Sequence, residues 1–163
     1  RDVAPSRGLG DVYKRQITME LVVKKFEELT TEELYELLKI RVEVFVVEQK
    51  CPYQEIDEKD KNAYHIYLKE AGQIKAYLRV LYPGILFEEA SIGRVLTTER
   101  GKGYANIILR EGINIAREKL KVNKIKIEAQ TYAKKMYEKF GFKQTSEKFL
   151  EDGIPHVQMI LKI

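Results

Sequence analysis

The chain has 163 residues, 44% of them hydrophobic, enough for one domain with a real core and too few for two of ordinary size. Its net charge of +4, with both signs spread along the length, suits anionic ligands in general but supplies no basic stripe with interleaved aromatics for nucleic acid. The one cysteine, Cys51, excludes an intramolecular disulfide and points to the cytoplasm, and no stretch approaches the ~18 consecutive apolar residues of a membrane span.

Residues 1–16, RDVAPSRGLGDVYKRQ, show no apolar period of helix or strand and lack the apolar core of a signal peptide. Ser6 to Gln16 reads as a sequencing adaptor translated in frame. Residues 1–18 are therefore expected to be a non-native or disordered leader, with the domain at 19–163 starting from Met19. Leu21 to Phe26 alternates as a first strand. Thr30, followed three residues later by Glu33, is a helix-starting signal, and Leu34, Leu37, Leu38, Arg41 and Phe45 share the next face. Pro52 forbids helix, and Gln49 to Lys61 reads as a polar, acidic loop. Ala63 to Lys69 and Ile74 to Leu81 are strands joined through Ala71-Gly72-Gln73, and Pro83-Gly84 marks another turn. Ala90 to Leu96 is a strand, Tyr104 to Leu120 has helical spacing, and Lys124 to Ala129 alternates again. Tyr132 to Phe140 is a short helix closed by Gly141. Lys143 to Leu150 and His156 to Ile163 are strands around an Asp152-Gly153 turn. The order β-α-β-β-β-α-β-α-β-β predicts an α/β domain, one mixed sheet with helices packed on it.

Chemistry concentrates at Arg94 to Ala105, which runs strand, loop, helix. Gly101 and Gly103 let the backbone turn tightly and leave amides uncovered, and the helix adds its first-turn donors and positive dipole end. Together they suit a diphosphate, with charge from Arg100 and Lys102. The spacing fits neither G-x-x-x-x-G-K-[ST] nor G-x-G-x-x-G, and a plain structural turn is the competing reading.

Arg100-Gly101-Lys102-Gly103-Tyr104-Ala105 resembles the R/Q-x-x-G-x-G/A signature of the GNAT acetyltransferases. About thirty residues on, Gln130 to Phe142 resembles that family's N-x-x-A-x-x-L-Y-E-x-x-G-F segment, with Gln130 in place of asparagine and Met136 in place of leucine. Val44 to Asp57, His65 and Glu151 to His156 resemble its ElaA-type branch, although the loop before Gly103 is shorter than in some members. The resemblance implies a single domain built on a central mixed, mostly antiparallel sheet of about seven strands flanked by helices. It implies direct transfer of an acetyl group from acetyl-CoA to a primary amine of a small molecule or peptide, with no metal.

In that scheme the backbone at Val95, Leu96 and Thr97 pairs with the pantetheine arm, and the Leu96 amide donates to the thioester carbonyl. Arg100, Gly101, Lys102, Gly103, Tyr104, Ala105 and Gln130 hold the cosubstrate. Tyr137 aligns with the tyrosine that protonates the departing thiolate; without the motif it reads as a packing residue. For the base, a reference imidazole pKa of ~6.5 suits His65 and His156, with Glu48 and Glu128 as further candidates. His156 is preferred because the hairpin carries it toward the acceptor cleft. Nothing near Cys51 activates it as a nucleophile. Glu55, Asp57, Glu58 and Asp60 lack the pattern of a calcium loop and read as a solvated rim that attracts a cationic acceptor. Nucleic acid and membrane are not expected as partners, and a homodimer is left open. Two rivals stand: an acyl-homoserine-lactone synthase, which shares the fold, and a non-catalytic acetyl-CoA-binding module.

Overall fold

Two alternating hydrophobic faces decide how the chain packs. The computed structural model describes residues 19–163, so the expected leader lies outside the described residues. In chain order the elements are β1 (Met19–Lys25), α1 (Thr31–Val42), β2 (Ala63–Glu70), β3 (Gln73–Leu81) and β4 (Ser91–Thr97), then α2 (Tyr104–Glu118), β5 (Lys124–Gln130), α3 (Lys134–Lys139), β6 (Lys143–Gln144), β7 (Phe149–Glu151) and β8 (Ile154–Lys162). None of these helices is long and apolar enough to cross a membrane.

Helix α1 starts as its cap predicts. The Glu33 amide donates to the Thr30 hydroxyl at 3.1 Å, and the Thr30 amide donates to the Glu33 carboxylate at 2.8 Å. The same carboxylate accepts from Lys24 on β1 and Tyr67 on β2, so the cap also docks the helix on the sheet. A π-helical turn, Glu43–Glu48, continues α1 toward the acidic loop.

The strands form two antiparallel sheets rather than one. β1-β2-β3-β4 is a meander; β8 lies between β5 and β6 and also pairs with β7. Among the described residues one parallel bridge, Ala90 with Ile125, joins them, and the Lys126 amide donates to the Ala90 carbonyl at 2.9 Å. Beyond it β4 and β5 part. The cause lies within β4, where Arg94 has φ +53° and the register against β3 shifts between Tyr77 and Arg79. Ile92 and Leu96 would share a face in a regular strand. Here they pack into opposite clusters, as one extra residue requires.

Lys143 to Leu150, expected as one strand, is instead the short pair β6 and β7. Between them the Ser146 hydroxyl accepts from the Gln158 amide at 2.9 Å, taking over a ladder bond. The expected turn is present, with φ +51° at Asp152 and +79° at Gly153.

Helix α2 covers one side of both sheets, with Tyr104, Ile108 and Leu109 against Ile66, Leu78, Ile92, Ile125 and Met159. A Cβ on Gly112 would lie 3.1 Å from the Leu78 methyls, so glycine there sets how closely α2 approaches β3. On the other side α1 closes a smaller cluster of Leu37, Tyr67, Tyr77 and Leu96. These are called the α2 side and the α1 side below.

Candidate active site

The divergence of β4 and β5 leaves the edge of β4 facing β5 without a strand partner from Ile92 to Thr97, among the described residues. The backbone of Val95, Leu96 and Thr97 lies on this segment, whose other edge is paired to β3. Leu96 buries its side chain on the α1 side and Val95 packs toward the α2 side, so their main chain crosses the slot.

At the end of β4 the chain turns through Gly101, φ +73°, and Gly103, φ +77°. A Cβ at either would meet nothing within 4 Å, so their backbones face open space. Gly103 caps α2 without a side-chain hydrogen bond, and the Ile107 amide is the donor that reaches its carbonyl, at 3.3 Å. The amides from Gly103 to Asn106 therefore have no carbonyl one turn back to bond. Arg100 and Lys102 are exposed beside them, and Ala105 is half-buried. The Tyr104 side chain turns into the core and its hydroxyl donates to Glu70 at 3.0 Å. An anion fits this arrangement: free donors, a dipole end and two cations around an open cradle.

Tyr137 sits in α3, edge-on to Phe142 with ring centroids 5.6 Å apart. It is buried in the α2-side core with Tyr104 and Ala129. Its hydroxyl makes no hydrogen bond among the described residues, and burial pushes the phenol well above its ordinary range. Such a group stays protonated.

The α1 side of β5 and β8 carries the rest. Antiparallel register sets Gln130 beside His156, His156 beside Phe149, and Glu128 beside Gln158. Gln130 and Gln49 exchange side-chain hydrogen bonds at 3.3 and 3.4 Å, and the Cys51 thiol donates to the Asp152 carbonyl at 3.5 Å. These contacts fasten the chain after α1 across this face. Cys51 is thereby a buried tether. His156 is 8% exposed and stacks on Phe149. Its Nδ1 lies 2.7 Å from the Ile154 carbonyl. A carbonyl only accepts, so Nδ1 carries the proton and Nε2 keeps a lone pair. Glu48 lies exposed on the π-helical turn.

His65 is placed elsewhere. It lies on β2 and is fully buried; its Nε2 donates to the Asp60 carbonyl at 2.9 Å, and its Nδ1 accepts from the Tyr77 hydroxyl at 2.7 Å. Burial pulls its pKa down, so it is a neutral ring with both nitrogens bonded. β3 and β4 separate it from the slot.

The expected solvated acidic rim is overturned. Glu55 and Asp60 are buried, and of the four carboxylates Glu58 alone is exposed. Glu55 accepts from Arg41 and Arg94, each at 2.7 Å. Asp60 accepts from Arg41 and Arg79, each at 2.8 Å, and Asp57 takes a two-pronged bond from Arg79. Burial alone would raise the pKa of Asp57 and Asp60, but the arginines hold both well below the usual carboxylate range. The three arginines come from α1, β3 and β4, so only folding assembles the network. Arg41 on the apolar face of α1 was the signal available beforehand: a charge at a core position needs a partner there. Arg94 is also the bulged residue, so Glu55 and Asp57 grip the backbone that opens the slot.

A cavity of about 560 Å³ lies outside the slot, between α2 and the ends of α3 and β8. Arg110, Arg117, Lys139 and Lys162 make its lining basic, and none of the residues expected to act on substrate lines it.

Comparison with known proteins gives a consistent picture. The family profile described as an acetyltransferase (GNAT) domain matches residues 26–163. A solved acyl-CoA N-acyltransferase from Pseudomonas aeruginosa superposes with a TM-score of 0.82 at 37% identity, covering 87% of this chain and 98% of that one. The Escherichia coli protein ElaA superposes equally, 0.82 at 33% identity, over 87% and 98%. The acyl-homoserine-lactone synthase LasI, at 18% identity and a TM-score of 0.68 over 88% and 89%, shares the fold alone.

Proposed function

The chain belongs to the GNAT acetyltransferase family, in its ElaA-like branch, and from that premise we propose that it moves an acetyl group from acetyl-CoA directly to a primary amine. One observation carries this reading. An uncapped helix N-terminus behind two positive-φ glycines opens beside an unpaired strand edge, which suits a diphosphate joined to an extended arm.

The thioester supplies the activated acyl carbon. The chain's own residues do the remaining work. Amides from Gly103 to Asn106 hold the diphosphate, with Arg100, Gly101 and Lys102 around them. The edge of β4 at Val95, Leu96 and Thr97 pairs with the arm, the Leu96 amide meets the acyl oxygen, and Gln130 borders the slot. His156 Nε2 takes the proton from the amine as the carbon–nitrogen bond forms. As the carbon–sulfur bond breaks, its electron pair goes to sulfur, and Tyr137 delivers a proton there. Solvent then reprotonates the phenolate and relieves the imidazolium. The two groups stand on opposite sides of the slot, His156 on the α1 side and Tyr137 on the α2 side, so amine and leaving thiol do not compete for space. His65, with both nitrogens bonded, has no part in this scheme.

Calorimetry with acetyl-CoA, followed by thiol release in the presence of an amine panel, tests the reading. Binding with amine-dependent release is expected. Binding without transfer to any amine supports the acetyl-CoA-binding module instead. Release from an acylated carrier protein with S-adenosylmethionine, but not from acetyl-CoA, supports the lactone-synthase alternative.

A further inference from the structure

We propose that the acceptor is a small diamine or polyamine, whose second ammonium group is held by Glu128 and Glu151 while its reacting amine meets His156. This rests on the acyltransferase reading and adds the substrate class.

Strand register places the three residues on one face. Gln130 and His156 are paired, Glu128 is two residues before Gln130 on β5, and Glu151 is two residues after Phe149, the other neighbour of His156. Glu128 is half-buried, accepts from the Gln158 amide group at 3.5 Å and faces the Glu151 carboxyl. Glu151 stands at the mouth with its carboxylate 3.9 Å from His156 Nε2. Among the described residues no lysine or arginine pairs with either carboxylate, whereas Glu55, Asp57 and Asp60 all have arginine partners. Burial and the facing Glu128 hold the Glu151 carboxyl above its ordinary range, which is the mark of two carboxylates lacking a cation between them.

His156 is the independent observation. The residue is 8% exposed, its Nδ1 is committed to Ile154, and its Nε2 makes no hydrogen bond among the described residues and faces the Glu151 carboxylate 3.9 Å away. An open imidazole nitrogen beside two carboxyls that lack a lysine or arginine partner suits an amine that carries a further positive charge. The Gln49–Gln130 and Cys51–Asp152 contacts fasten the chain over this end of the face, which favours a short aliphatic acceptor over an extended peptide.

The test compares 1,4-diaminobutane with n-butylamine and with a lysine-containing peptide as acceptors of acetyl-CoA. The diamine is expected to exceed the monoamine in kcat/KM by about 30-fold or more, chiefly through KM, as one charge-assisted contact is worth. In Glu151→Gln and Glu128→Gln that ratio falls toward one. Glu151 is exposed, so its variant also answers for any folding defect in the other. Independently of turnover, calorimetry should detect 1,4-diaminobutane binding to the wild type with coenzyme A present, and binding at least ~10-fold weaker in the double variant. Equal use of diamine and monoamine, preference for the peptide, or diamine binding unaffected by the two substitutions overturns the proposal. Each of those results leaves coenzyme A affinity, and the acyltransferase reading, standing.

Discussion

Burial and the absence of a hydrogen-bond partner act together at Tyr137. Both keep the phenol neutral, and a neutral phenol is a proton donor. Phenylalanine fills the same space against Phe142, so Tyr137→Phe isolates the proton. Its kcat is expected to fall about 100-fold with acetyl-CoA affinity within ~3-fold, measured by steady-state kinetics and calorimetry. Unchanged turnover removes Tyr137 from the mechanism. His156 and His65 show why residue type alone could not rank the two candidate bases. Both are imidazoles with a carbonyl-bonded nitrogen, yet His65 spends its other nitrogen on Tyr77 whereas His156 leaves its own open. Partners from distant segments made that difference. The same holds for Glu55 and Glu58, three apart in sequence, one buried between two arginines and the other exposed.

The loop from β4 to α2 was legible as a pattern because its glycines answer a local demand, positive φ at Gly101 and Gly103. An alanine at 103 would meet no atom within 4 Å, so its cost is backbone strain of about 1 kcal/mol, or ~2–4 °C in Tm for a chain of this size. Gly84 has φ +89°, equal freedom from clashes and no place in the site, so Gly84→Ala should lose similar stability. Only Gly103→Ala is expected to weaken acetyl-CoA binding, by ~10-fold or more, because the methyl enters the cradle. Equal affinity in the two variants would show that the loop does not hold the diphosphate. The bulge in β4 had no comparable signature. Ser91-Ile92-Gly93-Arg94-Val95-Leu96 reads as an ordinary strand, and nothing local shows that Arg94 adopts φ +53°. Likewise Lys143 to Leu150 alternates well enough for one strand, but the Ser146 bond to β8 breaks it in two.

Carboxylates with depressed pKa join separate elements across the whole domain: Glu33 ties α1 to β1 and β2, while Asp57 and Asp60 tie the acidic loop to α1 and β3. Burial raises Glu33, but bonds from Lys24, the Thr30 amide and Tyr67 outweigh it and lower the group from 4.5 to about 2. A carboxylate lowered on folding contributes stability above its unfolded pKa and loses it as pH falls through the folded one. Tm should therefore decline from about pH 4.5 toward 2, and the deficit of Glu33→Gln relative to wild type should shrink over that window. A deficit constant with pH would mean that the Glu33 charge does not stabilise the fold. The sequence by itself determined the order of elements as far as α3, the caps and turns, the two-glycine loop and the family, because these depend on neighbours a few residues apart. Tertiary structure alone decided that the sheet splits at β4, that three arginines bury the acidic loop, and that His156 rather than His65 keeps an open nitrogen. Each of those outcomes depends on which distant side chain arrives within hydrogen-bond reach, and periodicity along a chain holds no record of that.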